Sequence, residues 1–373
     1  LVMPERIVGK EAQYHPLLAT CKRLLNILER ITIHLDQPDQ PSSFSTNLEL
    51  PHFVHLIPRA LGNPKPFIRL ESLNDYLVKD YETYTSLDAL LYYPYQWVFR
   101  YKTRLIKSSI LSVVKDRTLL GNLAHRFFEQ LLKQDVTQWN KAQVEQWIDE
   151  QSKKMFTQEG ASLLMYGREP DKVNFLNRLK YAAWSLISIL QSNNWQVQDT
   201  EMDVVGKFLD LEIRAKADLV LKRGKEVAIV DLKWRGISYR ESMIRNQEDL
   251  QLVLYSKLID EPDNWAHTSY FIIEKGKLIA RNTQAFQEAN PIQPDADHTA
   301  VHEAILKKME KTYQWRQQQI ENGWIEVRCD QTKHSIEAIL ESMNLPSVSM
   351  DLLEMKNSSA PFDDYKTLIN LIF

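Results

Sequence analysis

Cysteine is almost missing. Cys21 and Cys329 are the two in 373 residues, so no disulfide framework, four-cysteine zinc site or cluster held by four thiolates can form within the chain. No apolar run is long enough to span a membrane and no signal peptide is recognisable, so a cytoplasmic protein without membrane attachment is expected. No Walker A lysine is present, so ATP hydrolysis would have to come from elsewhere. An excess of positive charge is lacking too: 46 Lys and Arg against 49 Asp and Glu give a net charge of −3. Bulk attraction for nucleic acid is therefore excluded, whereas a local basic patch is not. What is present, 44% hydrophobic and 25% charged residues in 43.7 kDa, suits an ordinary soluble protein with a substantial core in one large domain or two. The opening Leu1-Val2-Met3 reads as that of a piece of a longer polypeptide.

The stretch from Asp218 to Tyr255 organises the rest. Leu219, Leu221, Val227, Ile229 and Val230 are strand formers, and Gly224 permits the positive φ of a tight turn, so two strands joined at Arg223-Gly224-Lys225 are expected, then a helix. The first strand carries Asp218 at its start and the second ends on Asp231, two residues before Lys233. Period-2 geometry puts Asp231 and Lys233 on one face. Two carboxylates and an ammonium at the end of a buried hairpin need a partner, and a divalent cation such as Mg²⁺ supplies one; taken alone, the tripeptide Asp-x-Lys also fits a solvated strand end.

Gln251 and Tyr255, four apart in an otherwise apolar helix, share a face where polar groups need polar company. His125 borders the apolar side of a helical run containing Leu119, Leu123, Phe127 and Leu131, where by itself it fits a hydrogen-bonded structural histidine. Lys222, Arg223, Lys225, Lys233, Arg235, Arg240 and Arg245 offer phosphate contacts, although a solvated hairpin tip would also be basic. Tyr92, Tyr93, Tyr95, Trp97 and Phe99 form an aromatic cluster suited to packing and, alternatively, to base stacking.

In order along the chain, Gly121-x3-His125, Ala215-Lys216-Ala217-Asp218, Ile229-Val230-Asp231-Leu232-Lys233 and Gln251-x3-Tyr255 resemble the motifs of the RecB-like nucleases of the PD-(D/E)xK superfamily. Thr85 to Trp97 resembles the segment before the nuclease in AddB-type helicase-nuclease subunits, and Gln319 to Val327 their closing helix and strand. The resemblance covers roughly residues 84 to 328. It implies an α/β fold, a restriction-endonuclease-like core with a central mixed sheet flanked by helices, here with an added N-terminal helical segment. It also implies metal-dependent hydrolysis of DNA, as an exonuclease in end processing and recombinational repair, beside an AddA-like or RecBCD-like helicase subunit. Asp218, Asp231, the Leu232 carbonyl and His125 would ligate Mg²⁺ or Mn²⁺. Glu201 would add a carboxylate or merely face solvent, and Lys233 would position or deprotonate the nucleophile. Gln251 and Tyr255 would hold the site together or touch the DNA backbone. Because imidazole suits Mn²⁺ better than Mg²⁺, Mn²⁺ is expected to support activity at least as well. Tyr93 precedes Pro94 where many AddB-type relatives place a cluster cysteine, which implies a version without an iron–sulfur cluster. Ala215 replaces the family's usual glycine and keeps a small side chain there. A catalytically silent DNA-binding or scaffolding subunit is the alternative, and these residues do not distinguish DNA from RNA.

Three regions follow: an N-terminal helical segment with a Pro-rich linker over residues 1–83, a nuclease domain over 84–329, and a helical appendage over 330–373. Within the first, Leu17 to Leu28 has helical spacing. Helices are expected at about 117–133, 140–155, 171–192 and 299–321, one capped by Ser86. Strands are expected from Trp195 through Glu201, Phe208 to Leu221, Glu226 to Trp234, Thr268 to Ile273 and Lys277 to Ala280.

Overall fold

The computed structural model describes residues 6–7, 10–11, 62, 65–70, 81–106, 116–259, 265–327, 333–347, 351–353 and 364–370. The helix expected at Leu17 to Leu28 lies outside them. The chain divides into two compact units, Leu1–Leu61 and Gly62–Phe373. In the first, strands β1 (Arg6–Ile7) and β2 (Lys10–Glu11) pair antiparallel.

The second unit is a mixed α/β structure whose central sheet has helices on both faces. Among the described residues that sheet comprises β4 (Glu82–Thr83), β5 (Gln196–Phe208), β6 (Leu211–Arg223), β7 (Glu226–Lys233), β8 (His267–Ile272), β9 (Lys277–Ala280) and β10 (Asn290–Pro291). Its order is β10-β9-β8-β7-β6-β4, with β5 also on β6. β6 pairs antiparallel with β7, and β7 parallel with β8. A small separate sheet joins β3 (Phe67–Arg69) to β11 (Trp324–Glu326).

Strand β5 differs from the expected pattern. It continues without a break to Phe208 and turns through Leu209 and Asp210 into β6, which starts at Leu211. Asp218 is therefore in the middle of a strand, not at its start. Leu209 takes φ 54° at this turn, a left-handed conformation that leucine does not advertise.

Alternation along β7 divides the core. Ala228, Val230 and Leu232 pack with Leu123, Phe127 and Leu131 of α3 (Asp116–Leu132) and with α5 (Glu169–Ser192). Ile229, one residue out of phase, joins Leu250, Val253, Leu254 and Tyr255 of α7 (Leu250–Ile259), together with α1 (Tyr84–Tyr92), α2 (Pro94–Trp97) and α8 (His298–Glu321). Each fully buried Leu, Ile or Phe contributes roughly 1.5–3 kcal/mol. The cap of α1 is Thr83, not Ser86: Ser86 is the third helical residue and returns the hydrogen bond, completing a capping box. Tyr92, Tyr93, Tyr95 and Trp97 are buried core residues, which leaves their faces no room to stack bases.

The remaining helices are α4 (Lys141–Gln158), α6 (Ile237–Arg245) and α9 (Lys333–Ser342). Ile336 and Leu340 of α9 pack with Phe67 and Trp315. No described helix is long and apolar enough to cross a membrane.

Candidate active site and metal centre

The site forms where the β6–β7 ladder stops. Leu219 opposite Val230 is the last rung on that side, so in the same register Asp218 falls opposite Asp231. Past that rung the backbone of β7 is free of β6, and the Asp218 side chain takes its place: Leu232 N–H donates to Asp218 Oδ2 at 2.8 Å. On the other side of β6, β5 pairs Thr200 with Leu219 and Met202 with Ala217, which sets Glu201 across from Asp218. Glu201 has φ 55° and follows an irregularity in the pairing between Val197 and Asp199. A left-handed glutamate inside a strand is strained, and such strain re-aims a side chain.

Helix α3 completes the group. His125 Nδ1 lies 3.8 Å from Asp218 Oδ2, and among the described residues the ligand atoms of His125, Glu201 and Asp218 all fall within 4.8 Å of one another. They line an open depression of about 630 Å³ with Asn122, Arg126, Glu129, Glu159 and Lys216. These five were not singled out in the sequence. Asn122 and Glu129, three before and four after His125, could have been found from the helical repeat alone.

Asp231 stands next to this trio without joining it. Strand alternation turns it away from Leu232, toward α7, where it is 2% exposed. Lys233 Nζ forms an ion pair with Asp231 Oδ2 at 2.6 Å. Tyr255 lies close enough to both aspartates for their charges to raise its pKa further, beyond the dominant effect of burial.

The electrostatics suit a cation. Burial first, then the neighbouring Asp231 charge, push Asp218 up to about 7; Lys233 and the Leu232 N–H oppose this only partly. Burial and the Lys233 charge lower the His125 pKa, so its ring is neutral and able to donate a lone pair near neutral pH. A carboxyl reluctant to ionise, a neutral imidazole and a second carboxylate, with the ion-paired Asp231 alongside, make up an N/O donor set that fits a divalent metal.

The expected phosphate contacts differ in how far they are already committed. Arg235 Nε is 2.9 Å from Glu274 Oε1. Arg240 sits 5.1 Å from the ring centroids of both Tyr239 and Tyr270 and donates to Met243 Sδ, and Arg245 is exposed. Arg223, by contrast, is at the far end of β6, stacked on Trp195 and paired with Glu226. Five residues of strand separate it from Asp218, roughly 17 Å, so the hairpin tip takes the solvated role.

With this geometry in view, comparison with known families places the chain. The model of the PD-(D/E)XK nuclease superfamily matches residues 83–333, from the end of β4 to the start of α9. No curated protein matches the chain.

Proposed function

The chain belongs to the PD-(D/E)XK nuclease superfamily, and from that premise we propose that it hydrolyses DNA phosphodiester bonds with Mg²⁺ or Mn²⁺. Asp218, Asp231, His125, Glu201 and the Leu232 backbone would hold the ion. The observation that carries this reading is the convergence of His125, Glu201 and Asp218, whose ligand atoms lie within 4.8 Å of one another, with burial opposing the ionisation of Asp218. When bound, a divalent cation supplies Lewis acidity that activates water and offsets charge developing on phosphate.

The chain's own residues do the rest. Lys233, held against Asp231, orients the attacking water and takes up or stabilises its proton. Tyr255, buried beside the aspartates, and Gln251, one turn before it on α7, fix the floor of the site. Arg235, Arg240 and Arg245 steer and hold the substrate backbone. Exonucleolytic action in DNA end processing, beside a helicase-type motor subunit, is supported by the likeness of residues 85–97 and 319–327 to AddB-type subunits.

End-labelled single- and double-stranded DNA and RNA, incubated with Mn²⁺, Mg²⁺ or a chelator, test the proposal. Cleavage of DNA that stops with chelator is expected. Asp231→Ala and Lys233→Ala should each lower the rate by about 10²-fold or more. DNA binding with no cleavage under any metal would instead identify a scaffolding subunit.

A further inference from the structure

Among the described residues two cations line the metal depression, Arg126 and Lys216, and they are held in different ways. Arg126, one residue past His125 on α3, is 2.7 Å from Glu129 and 3.6 Å from Glu159. Neither carboxylate belongs to the converging trio, so Arg126 keeps both partners whether or not an ion is bound. Lys216 is two residues before Asp218 on β6, and its Nζ lies 3.6 Å from Glu201 Oε2. Glu201 does belong to the trio. Lys216 is thus the cation of this depression whose counter-ion is itself a candidate metal ligand.

The pair is built to come apart. The Lys216 side chain is 56% exposed and that of Glu201 26%, and an ion pair as open as this contributes little in water. The one negative charge of Glu201 cannot balance a dication and an ammonium together. Once Glu201 turns to the trio, Lys216 is left with an uncompensated charge on a flexible four-carbon stem, inside the depression where the substrate phosphate must lie.

Building on the nuclease reading, we infer that Lys216 is a phosphate-holding residue of this site and that Glu201 keeps it occupied until the cation is bound. The four cations expected at the cut act in either state; Lys216 joins them only in the loaded one. Divalent ion and nucleic acid therefore bind cooperatively, coupled through a carboxylate that changes partner. The chain without an ion holds its substrate strand less firmly, which keeps it from occupying DNA it cannot cut.

Binding of a fluorescent single-stranded oligodeoxynucleotide to the full chain tests this, in the slowly cleaving Lys233→Ala background and with Mn²⁺ or chelator. Adding Lys216→Gln should weaken binding several-fold with Mn²⁺ and make the slope of log K against log salt shallower by about 0.7, while changing neither with chelator. Arg126→Gln should have the same effect in both conditions. Mn²⁺ affinity itself, measured without DNA by electron paramagnetic resonance, should rise roughly 2- to 5-fold in Lys216→Gln, the release of one exposed ion pair. A further arm needs no metal: in Glu201→Gln the lysine is free from the start, so with chelator Lys216→Gln should now cost several-fold. A loss from Lys216→Gln that is equal with Mn²⁺ and with chelator, or absent from both the Mn²⁺ arm and the Glu201→Gln chain, would overturn the inference. A chain that binds no Mn²⁺ sinks the nuclease reading instead, and the Glu201→Gln arm then decides on Lys216 by itself.

Discussion

Asp218 carries the sharpest consequence at the scale of single residues. In the folded chain it keeps its proton up to about pH 7, whereas its ordinary value is 3.8. The folded state thus holds more protons than the unfolded one across that window, and the stability of the metal-free protein falls as pH rises from about 4 to about 7. A divalent ion takes the proton's place, so Mn²⁺ affinity should climb by up to tenfold per pH unit and level off near 7. Titrations at pH 5.5, 6.5 and 7.5 decide this; constant affinity over the range would show that Asp218 is not a ligand. Asp218→Asn removes the ionisation but keeps an oxygen for the Leu232 N–H. Its metal-free melting temperature at pH 8 should exceed that of the parent, and its Mn²⁺-induced shift should vanish. How much of this the sequence shows depends on range. The Asp231–Lys233 contact follows from two-residue alternation and is readable directly. The approach of His125 to Asp218 links positions 93 apart, and no local pattern encodes it; only the resemblance of the motifs suggested it.

Strand β5 shows why elements were legible where glycine marks a turn and not where other residues take the same backbone. Turns at Gly224, Gly276 and Gly323, all with positive φ, announce themselves through glycine. The turn at Leu209 and the kink at Glu201 use residues with no such signature, so the sequence suggested a strand broken between Glu201 and Phe208 where one continuous strand exists. Left-handed glutamate costs on the order of 1 kcal/mol or more. Glu201→Gly relieves that cost, while a glycine inside a strand loses up to about 1 kcal/mol in entropy. Urea denaturation of Glu201→Gly should therefore give a stability within about 1 kcal/mol of the parent, while Mn²⁺ affinity drops at least tenfold. The Glu201→Gln control keeps the strain and loses the charge, and should lose affinity alone. A drop of several kcal/mol in the glycine variant would show that the side chain, not the backbone geometry, holds β5 in place.

Across the whole molecule, charged side chains are used internally. Arg316 of α8, 1% exposed, donates to Glu326 of β11 and to the Leu91 carbonyl of α1, and Gln319 donates to the same carboxylate at 2.8 Å. The periodicity of α8 was plain in the sequence; that its one arginine turns inward was not, because its partners lie 10 and 225 residues away. Glu326→Ala leaves the guanidinium buried without its counter-ion and should cost roughly 3–5 kcal/mol in urea denaturation. Internal use of charge also limits the outside. Arg235 is tied to Glu274, the net charge is −3, and Lys233, Arg235, Arg240 and Arg245 are the cations expected at the cut. Four phosphate contacts set a ceiling: the slope of log K against log salt for duplex binding should be no steeper than about −3.6. Arg245→Ala should make that slope shallower by about 0.9, weakening all sequences alike. Fluorescence anisotropy from 50 to 300 mM salt measures both, and a slope near −8 would mean that a basic surface elsewhere on the chain carries the DNA.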